Sequence, residues 1–96
     1  MSAYFLVDTR EVKDAAKLQQ YGSRVGPVIE KFGGRLVVRG GPFEVVEGTY
    51  QPVRLVLLEF PNMDQARRWY DSEEYRELKQ MRLAATVSNA FFMTGL

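Results

Sequence analysis

The chain of 96 residues contains no histidine and no cysteine. Those two absences remove whole classes of chemistry. Ser-His-Asp and Cys-His nucleophile pairs, zinc held by His or Cys, iron–sulfur clusters and haem ligated by His or thiolate all lack their obligatory atoms. Long apolar runs are missing too: none exceeds the five residues Ala3 to Val7, whereas a bilayer span needs about 20. That N-terminal run has no basic residues before it and ends at Asp8, so it reads as a strand rather than a signal peptide. With no thiol and no signal, a cytoplasmic protein without a membrane partner is the simplest expectation. Charge of one sign is also scarce, since 13 basic residues face 12 acidic ones for a net +1. The nine arginines are scattered rather than gathered into a stripe, which argues against a nucleic-acid partner. What remains for chemistry is carboxylate, Tyr, Lys, Arg and hydroxyl groups.

What is present describes a folded domain. Hydrophobic residues make up 46% and aromatic residues 12% of the chain, a soluble globular composition, and the length holds one domain spanning residues 1–96. Ala3 to Thr9 reads as a first strand. Ala15, Leu18, Val25, Val28, Ile29 and Phe32 recur at helical spacing, interrupted by Gly22, Gly26 and Pro27. The proline predicts two helical pieces, roughly 13–23 and 26–32, with Pro27 opening the second. Gly33-Gly34 supplies a left-handed stop. Arg35 to Val38 is a strand, Gly40-Gly41-Pro42 a bulge or bend, Phe43 to Glu47 its continuation or a short neighbour, and Val53 to Phe60 the most apolar strand. Asn62 with Gln65 looks like a capping box for a helix to about Asp71. Ser72 caps another, about 73–85, before a last strand from Val87 to Thr94. The order β-α-β-β-α-β predicts an α+β, ferredoxin-like fold: an antiparallel sheet with its helices on one face.

A sheet with one dry face should alternate apolar and polar residues. Val53 to Phe60 does not, because Val53, Leu55 and Leu57 alternate with Val56, Leu58 and Phe60. Phe5 and Val7 oppose Tyr4 and Leu6 in the first strand, and Phe91 and Met93 oppose Ala90 and Phe92 in the last. The helices cover one face, and the other projects on the order of 300 Å², near the largest apolar patch a monomer leaves wet. A second copy of the chain, stacked sheet on sheet, is the economical cover. The alternative is a monomer shielded by long Arg and Tyr side chains.

Several stretches resemble one family over essentially the whole chain: Lys31-Phe32-Gly33-Gly34, Arg39-Gly40-Gly41, Val46-Glu47-Gly48, Leu58-Glu59-Phe60-Pro61, Ala66, Trp69-Tyr70, Ser72-Glu73-Glu74-Tyr75 and Arg82. These are similar to the bacterial domain-of-unknown-function family 1330, a member of the dimeric α+β barrel superfamily. The resemblance implies that same fold and a homodimer, and it implies no single reaction. The superfamily includes cofactor-free oxygenases, haem-degrading enzymes, dehalogenase-like and lactone-isomerising enzymes and plain binding modules, so fold analogy leaves the chemistry open. Asn62 stands where the family usually has serine, Glu73 where it often has proline, and Leu18 where an aromatic is common.

Six residues are candidates for a site. Arg39 beside two glycines can grip a carboxylate in a bidentate fork, or pair with Glu47 or Glu59 to hold the bend in register. Glu59 shares its strand face with Leu55 and Leu57, so partial desolvation should raise its pKa and suit it to general acid or base work. It can equally be a structural carboxylate serving an arginine. Tyr75, Leu78, Lys79 and Arg82 form one helical face, and Trp69 and Tyr70 precede the junction between the helices. An aromatic cluster ending in Arg82 suits a planar organic acid. The blander reading puts Trp69 and Tyr75 in the core and Arg82 in a salt bridge between elements. Tyr21 can bring its hydroxyl to the same cleft or simply pack. No cofactor is called for, and the carboxylates show no metal-ligand spacing. Two functions compete: a dimer that binds a planar organic acid, and a cofactor-independent isomerase, decarboxylase or oxygenase with Glu59 as base and Arg39 or Arg82 as clamp. A structural or interaction domain is the third.

Overall fold

Ala3, Phe5 and Val7 are buried while the residues between them are only half-buried, the two-residue period of a strand packed on one side. This strand, β1 (Ala3–Val12), is central in a four-stranded sheet. The computed structural model describes all residues, Met1–Leu96, and adds α1 (Ala15–Lys31), β2 (Arg35–Arg39), β3 (Leu55–Phe60), α2 (Met63–Tyr70), α3 (Glu73–Ala85) and β4 (Thr86–Thr94). The strand order is β2-β3-β1-β4, with every neighbouring pair antiparallel. This is the ferredoxin-like α+β architecture that the element order implies.

The caps form where their residue types place them. Asn62 Oδ1 accepts from Gln65 N at 2.8 Å and Ser72 Oγ accepts from Tyr75 N at 3.1 Å; each replaces a partner missing in the first helical turn. Gln65 also donates from Nε2 to the Phe32 carbonyl at 2.9 Å, tying the start of α2 to the end of α1. Gly33 takes φ +79° at that end, and Gly34 lies so close to Phe60 that a Cβ would sit 2.5 Å from its ring.

Two expectations need correction. The helix does not divide at Pro27: α1 runs unbroken from Ala15 to Lys31. Pro27 and Ser23, whose carbonyl loses its partner, are both exposed, so the freed oxygen lies on the solvent side of the helix while Val25 and Ile29 stay packed in the core. Phe43 to Glu47 forms no strand. Residues 40–54 are a loop clamped at its far end by Asp8, which is 4% exposed. Asp8 accepts from Val53 N (3.0 Å), Arg54 N (3.2 Å), Arg10 Nη1 (2.7 Å) and the Tyr50 hydroxyl. Burial alone would raise the Asp8 pKa, but the bonds from Tyr50, Val53, Arg10 and Arg54 together outweigh it and hold the carboxyl well below the usual range.

The helices lie on one side of the sheet only. Across it, Val38, Leu57, Leu6 and Phe91 form one row from edge to edge on the uncovered face. Phe91 is 50% and Val38 38% exposed. The chain is a slab of 37 × 36 × 17 Å. Its thickness is that of one sheet and one helical layer, with nothing over the second face.

Candidate functional site

Gly22 and Gly26 lie one turn apart on α1, and a Cβ built on either meets nothing within 4 Å. Both line a cleft between α1 and the helix-covered face of β2 and β3, with a volume of about 1130 Å³. Val56, Leu58 and Phe5 form part of the opposite wall. The glycines that interrupt the sequence pattern therefore open the cleft without breaking the helix. Replacing either with alanine is expected to raise stability by about 0.5–1 kcal/mol, because the space is free and the unfolded chain loses freedom. Thermal denaturation at fixed protein concentration measures the gain.

Arg82, on the last turn of α3, forms part of the cleft lining and is only 6% exposed. Its Nε donates to the Tyr75 hydroxyl at 3.3 Å, and its guanidinium lies 5.9 Å from the centre of the Phe5 ring. The Tyr75 and Tyr21 hydroxyls are 2.8 Å apart. Six ion pairs form in the chain, and Arg82 takes part in none. Burial works against the Arg82 charge, but the oxygens of Tyr75 and Tyr21 facing it raise its pKa. Burial also pushes the Tyr75 and Tyr21 phenols above their ordinary values, so both are neutral hydroxyls near neutral pH and can donate. Tyr21 lines the cleft directly, whereas Tyr75 is fully buried behind it. The salt bridge between elements that offered a blander role for Arg82 does not form.

Trp69 is fully buried among Phe5, Phe60 and Tyr75, with ring centroids 5.3, 5.3 and 4.2 Å away. It backs Tyr75 and does not reach the cleft. Its Nε1 has no hydrogen-bond partner.

Arg39 does reach the cleft, through a bulge that lies at Val37 rather than at the Gly40-Gly41-Pro42 position the glycines suggest. Arg35 pairs with Glu59 and Leu36 with Leu58, but Val38 pairs with Leu57. The extra residue, Val37, exchanges the faces of Val38 and Arg39. Arg39 therefore shares the covered face with Val56, while Arg35 faces the other way, toward Glu59. Arg39 pairs with neither Glu47 nor Glu59. Arg54 lines the same cleft, and no sequence signal marks it.

Glu59 is the residue whose expected setting the structure overturns. It lies on the uncovered face, away from Arg39, Tyr75 and Arg82. It accepts from Arg35 Nε at 2.8 Å and from the Tyr4 hydroxyl at 3.1 Å. The Arg35 bond first, then the Tyr4 bond, outweigh desolvation and lower its pKa rather than raise it. Leu55 and Leu57 do flank it, but on a face that no helix covers.

The sequence matches the family model described as "Domain of unknown function (DUF1330)" over residues 2–96. The chain belongs to the DUF1330 family. Among curated proteins none matches its sequence. Three solved structures share its fold. A protein of unknown function from Rhodopseudomonas palustris is 22% identical, with a TM-score of 0.78 over 99% of this chain and 82% of that one. A variant of SnoaB, a cofactor-independent oxygenase from Streptomyces nogalater, is 14% identical, with a TM-score of 0.69 over 98% and 92%. A dimeric ferredoxin-like protein of unknown function from Thermobifida fusca is 9% identical, with a TM-score of 0.62 over 99% and 92%. At such identities the likeness establishes the shared fold alone. No helix of this DUF1330 protein is long and apolar enough to cross a membrane.

Proposed function

We propose that this DUF1330 protein binds a planar organic acid in the cleft between α1 and the sheet, with the carboxylate at Arg82. The observation that carries this reading is a buried guanidinium with no carboxylate partner. Neutral phenol oxygens face that charge but no carboxylate does, and an anionic ligand provides the full counter-charge that the chain does not. Tyr21 completes the grip. When Arg82 donates to Tyr75 and Tyr75 donates to Tyr21, the Tyr21 hydroxyl hydrogen is left for a ligand oxygen. A flat ring fits against Gly22 and Gly26, where α1 presents bare backbone, and against Val56 and Leu58 opposite. Calorimetric titration with 2-naphthoate and with its neutral alcohol analogue tests the site. The acid binds and the alcohol does not; equal binding, or none by the acid, refutes the carboxylate site. The enzymatic reading with Glu59 as base draws no support here, because Glu59 and the cleft lie on opposite faces.

The functional unit we propose is a homodimer stacked through the uncovered sheet face, as the row Val38, Leu57, Leu6 and Phe91 invites. The Thermobifida fusca neighbour is a dimeric protein, which supports a dimer here. Leu57→Arg places a charge in the middle of that row and is expected to give a folded monomer in sedimentation at micromolar concentration, where the unaltered chain sediments as a dimer. An unaltered chain that sediments as a monomer there refutes the assembly.

A further inference from the structure

The cleft carries more positive charge than one carboxylate satisfies. Along it lie the charged groups of Arg39, Arg54 and Arg82 against the single acid Glu30, with Arg35 only at its edge. Arg35 is committed to Glu59, whereas Arg39 and Arg54 form no ion pair. Two like charges lining one cleft without an acid partner form a basic end that a second anionic group would satisfy.

Arg54 is also held in place. Its backbone N–H donates to Asp8 Oδ1 at 3.2 Å and its carbonyl accepts from Thr9 N at 2.9 Å. Its side chain lies across Gly40 (φ +61°), where a Cβ would fall 2.6 Å from Arg54 Nε. Gly40 directly follows Arg39, so the missing side chain makes room for Arg54 next to the backbone at Arg39. The Asp8 clamp that ties down the loop thus also fixes Arg54 at the cleft.

The two cationic points are separated along the sheet. Arg82 stands over Phe5, which pairs with Leu58. Arg39 pairs with Val56, two residues along β3 from Leu58, and Arg54 lies four residues along. At about 3.3 Å per residue these are roughly 7 and 13 Å from the Arg82 position.

We infer that the ligand is a rigid molecule with two anionic groups, one carboxylate at Arg82 and a second anion at its far end held between Arg39 and Arg54. This rests on the carboxylate site proposed above and adds the second anchor. The test compares 2-naphthoate with 2,6-naphthalenedicarboxylate, which carries carboxylates at opposite ends of the same ring system, at 0.15 M salt so that distant charges are largely screened, a Debye length being about 8 Å. The dicarboxylate is expected to bind at least about tenfold more tightly to the unaltered protein, the yield of an added charge-assisted contact. In the double variant Arg39→Gln/Arg54→Gln that gain disappears while naphthoate affinity stays within about twofold. Equal affinity of both acids for the unaltered protein overturns the second anchor alone. So does a double variant that weakens both acids alike, since general attraction then explains the effect. If neither acid binds, the carboxylate site itself fails. Both arginines are exposed, so their replacement leaves the core intact, and circular dichroism of the double variant confirms folding.

Discussion

Trp69→Ala is expected to lower stability by about 3–5 kcal/mol, the cost of emptying a large aromatic site in a packed core. Trp69 is fully buried, and three aromatic rings lie within 5.3 Å of its own, from β1, β3 and α3. It therefore joins the sheet to the helical layer. A domain of this size holds only about 5–15 kcal/mol in total, so the midpoint of thermal unfolding should fall by roughly 15 °C or more. Trp69→Phe separates the two contributions of the side chain. It keeps a ring and removes an indole N–H that has no partner, so the penalty should stay below about 1.5 kcal/mol. Urea unfolding followed by circular dichroism at one fixed protein concentration measures both, since assembly would make the midpoint concentration-dependent. A Trp69→Ala loss below about 1 kcal/mol would contradict this account of the core.

Arg82→Met is expected to act in the opposite sense on stability and strongly on binding. Methionine keeps the length of the side chain and its packing over Phe5 but removes a buried charge that no carboxylate offsets. Tyr75 keeps its bond to Tyr21 at 2.8 Å, so no phenol is stranded. Thermal stability should be unchanged or higher by about 1 kcal/mol, while affinity for 2-naphthoate falls about 10- to 100-fold with the loss of a charge-assisted hydrogen bond. A site that costs stability when empty and gains function when filled has this signature. A variant that is destabilised by about 2 kcal/mol or more yet still binds the acid would make Arg82 a structural residue. The pH dependence follows from composition. With no histidine or cysteine to titrate and with both phenols pushed up by burial, affinity should be flat from about pH 6 to 9. It should fall only as the ligand carboxylate protonates, near pH ~4.

Much of the architecture is legible in the sequence because its causes are local. Asn62 and Ser72 start helices by bonding to the backbone three residues on, and Gly33 ends one by adopting a conformation other residues avoid. Those signals need no distant partner. Pro27 misleads for the complementary reason. A proline's cost depends on whether the carbonyl it strands is wet and whether the helix is held elsewhere, and both are facts of packing.

The candidate site divides along the same line. The apolar character of both sheet faces is written in the alternation of β1 and β3, and the absence of histidine and cysteine limits the available groups to carboxylate, arginine and tyrosine. Parity within a strand also places Glu59 with Leu55 and Leu57 correctly. With both faces apolar, however, parity cannot say which one the helices cover, so it cannot tell that Glu59 lies away from the cleft. Nor can it find the bulge at Val37, which turns Arg39 to the covered face and leaves Arg35 bound to Glu59, or the Asp8 clamp that brings Arg54 beside Gly40.

The order of the elements, the two-sided sheet and the kinds of group available for chemistry can be read from the chain alone, since they follow from local backbone preference and composition. Only packing fixes which arginines line the cleft and which carboxylate stands apart, because one inserted residue in a strand exchanges its faces and the covered face is chosen by the helices that pack on it.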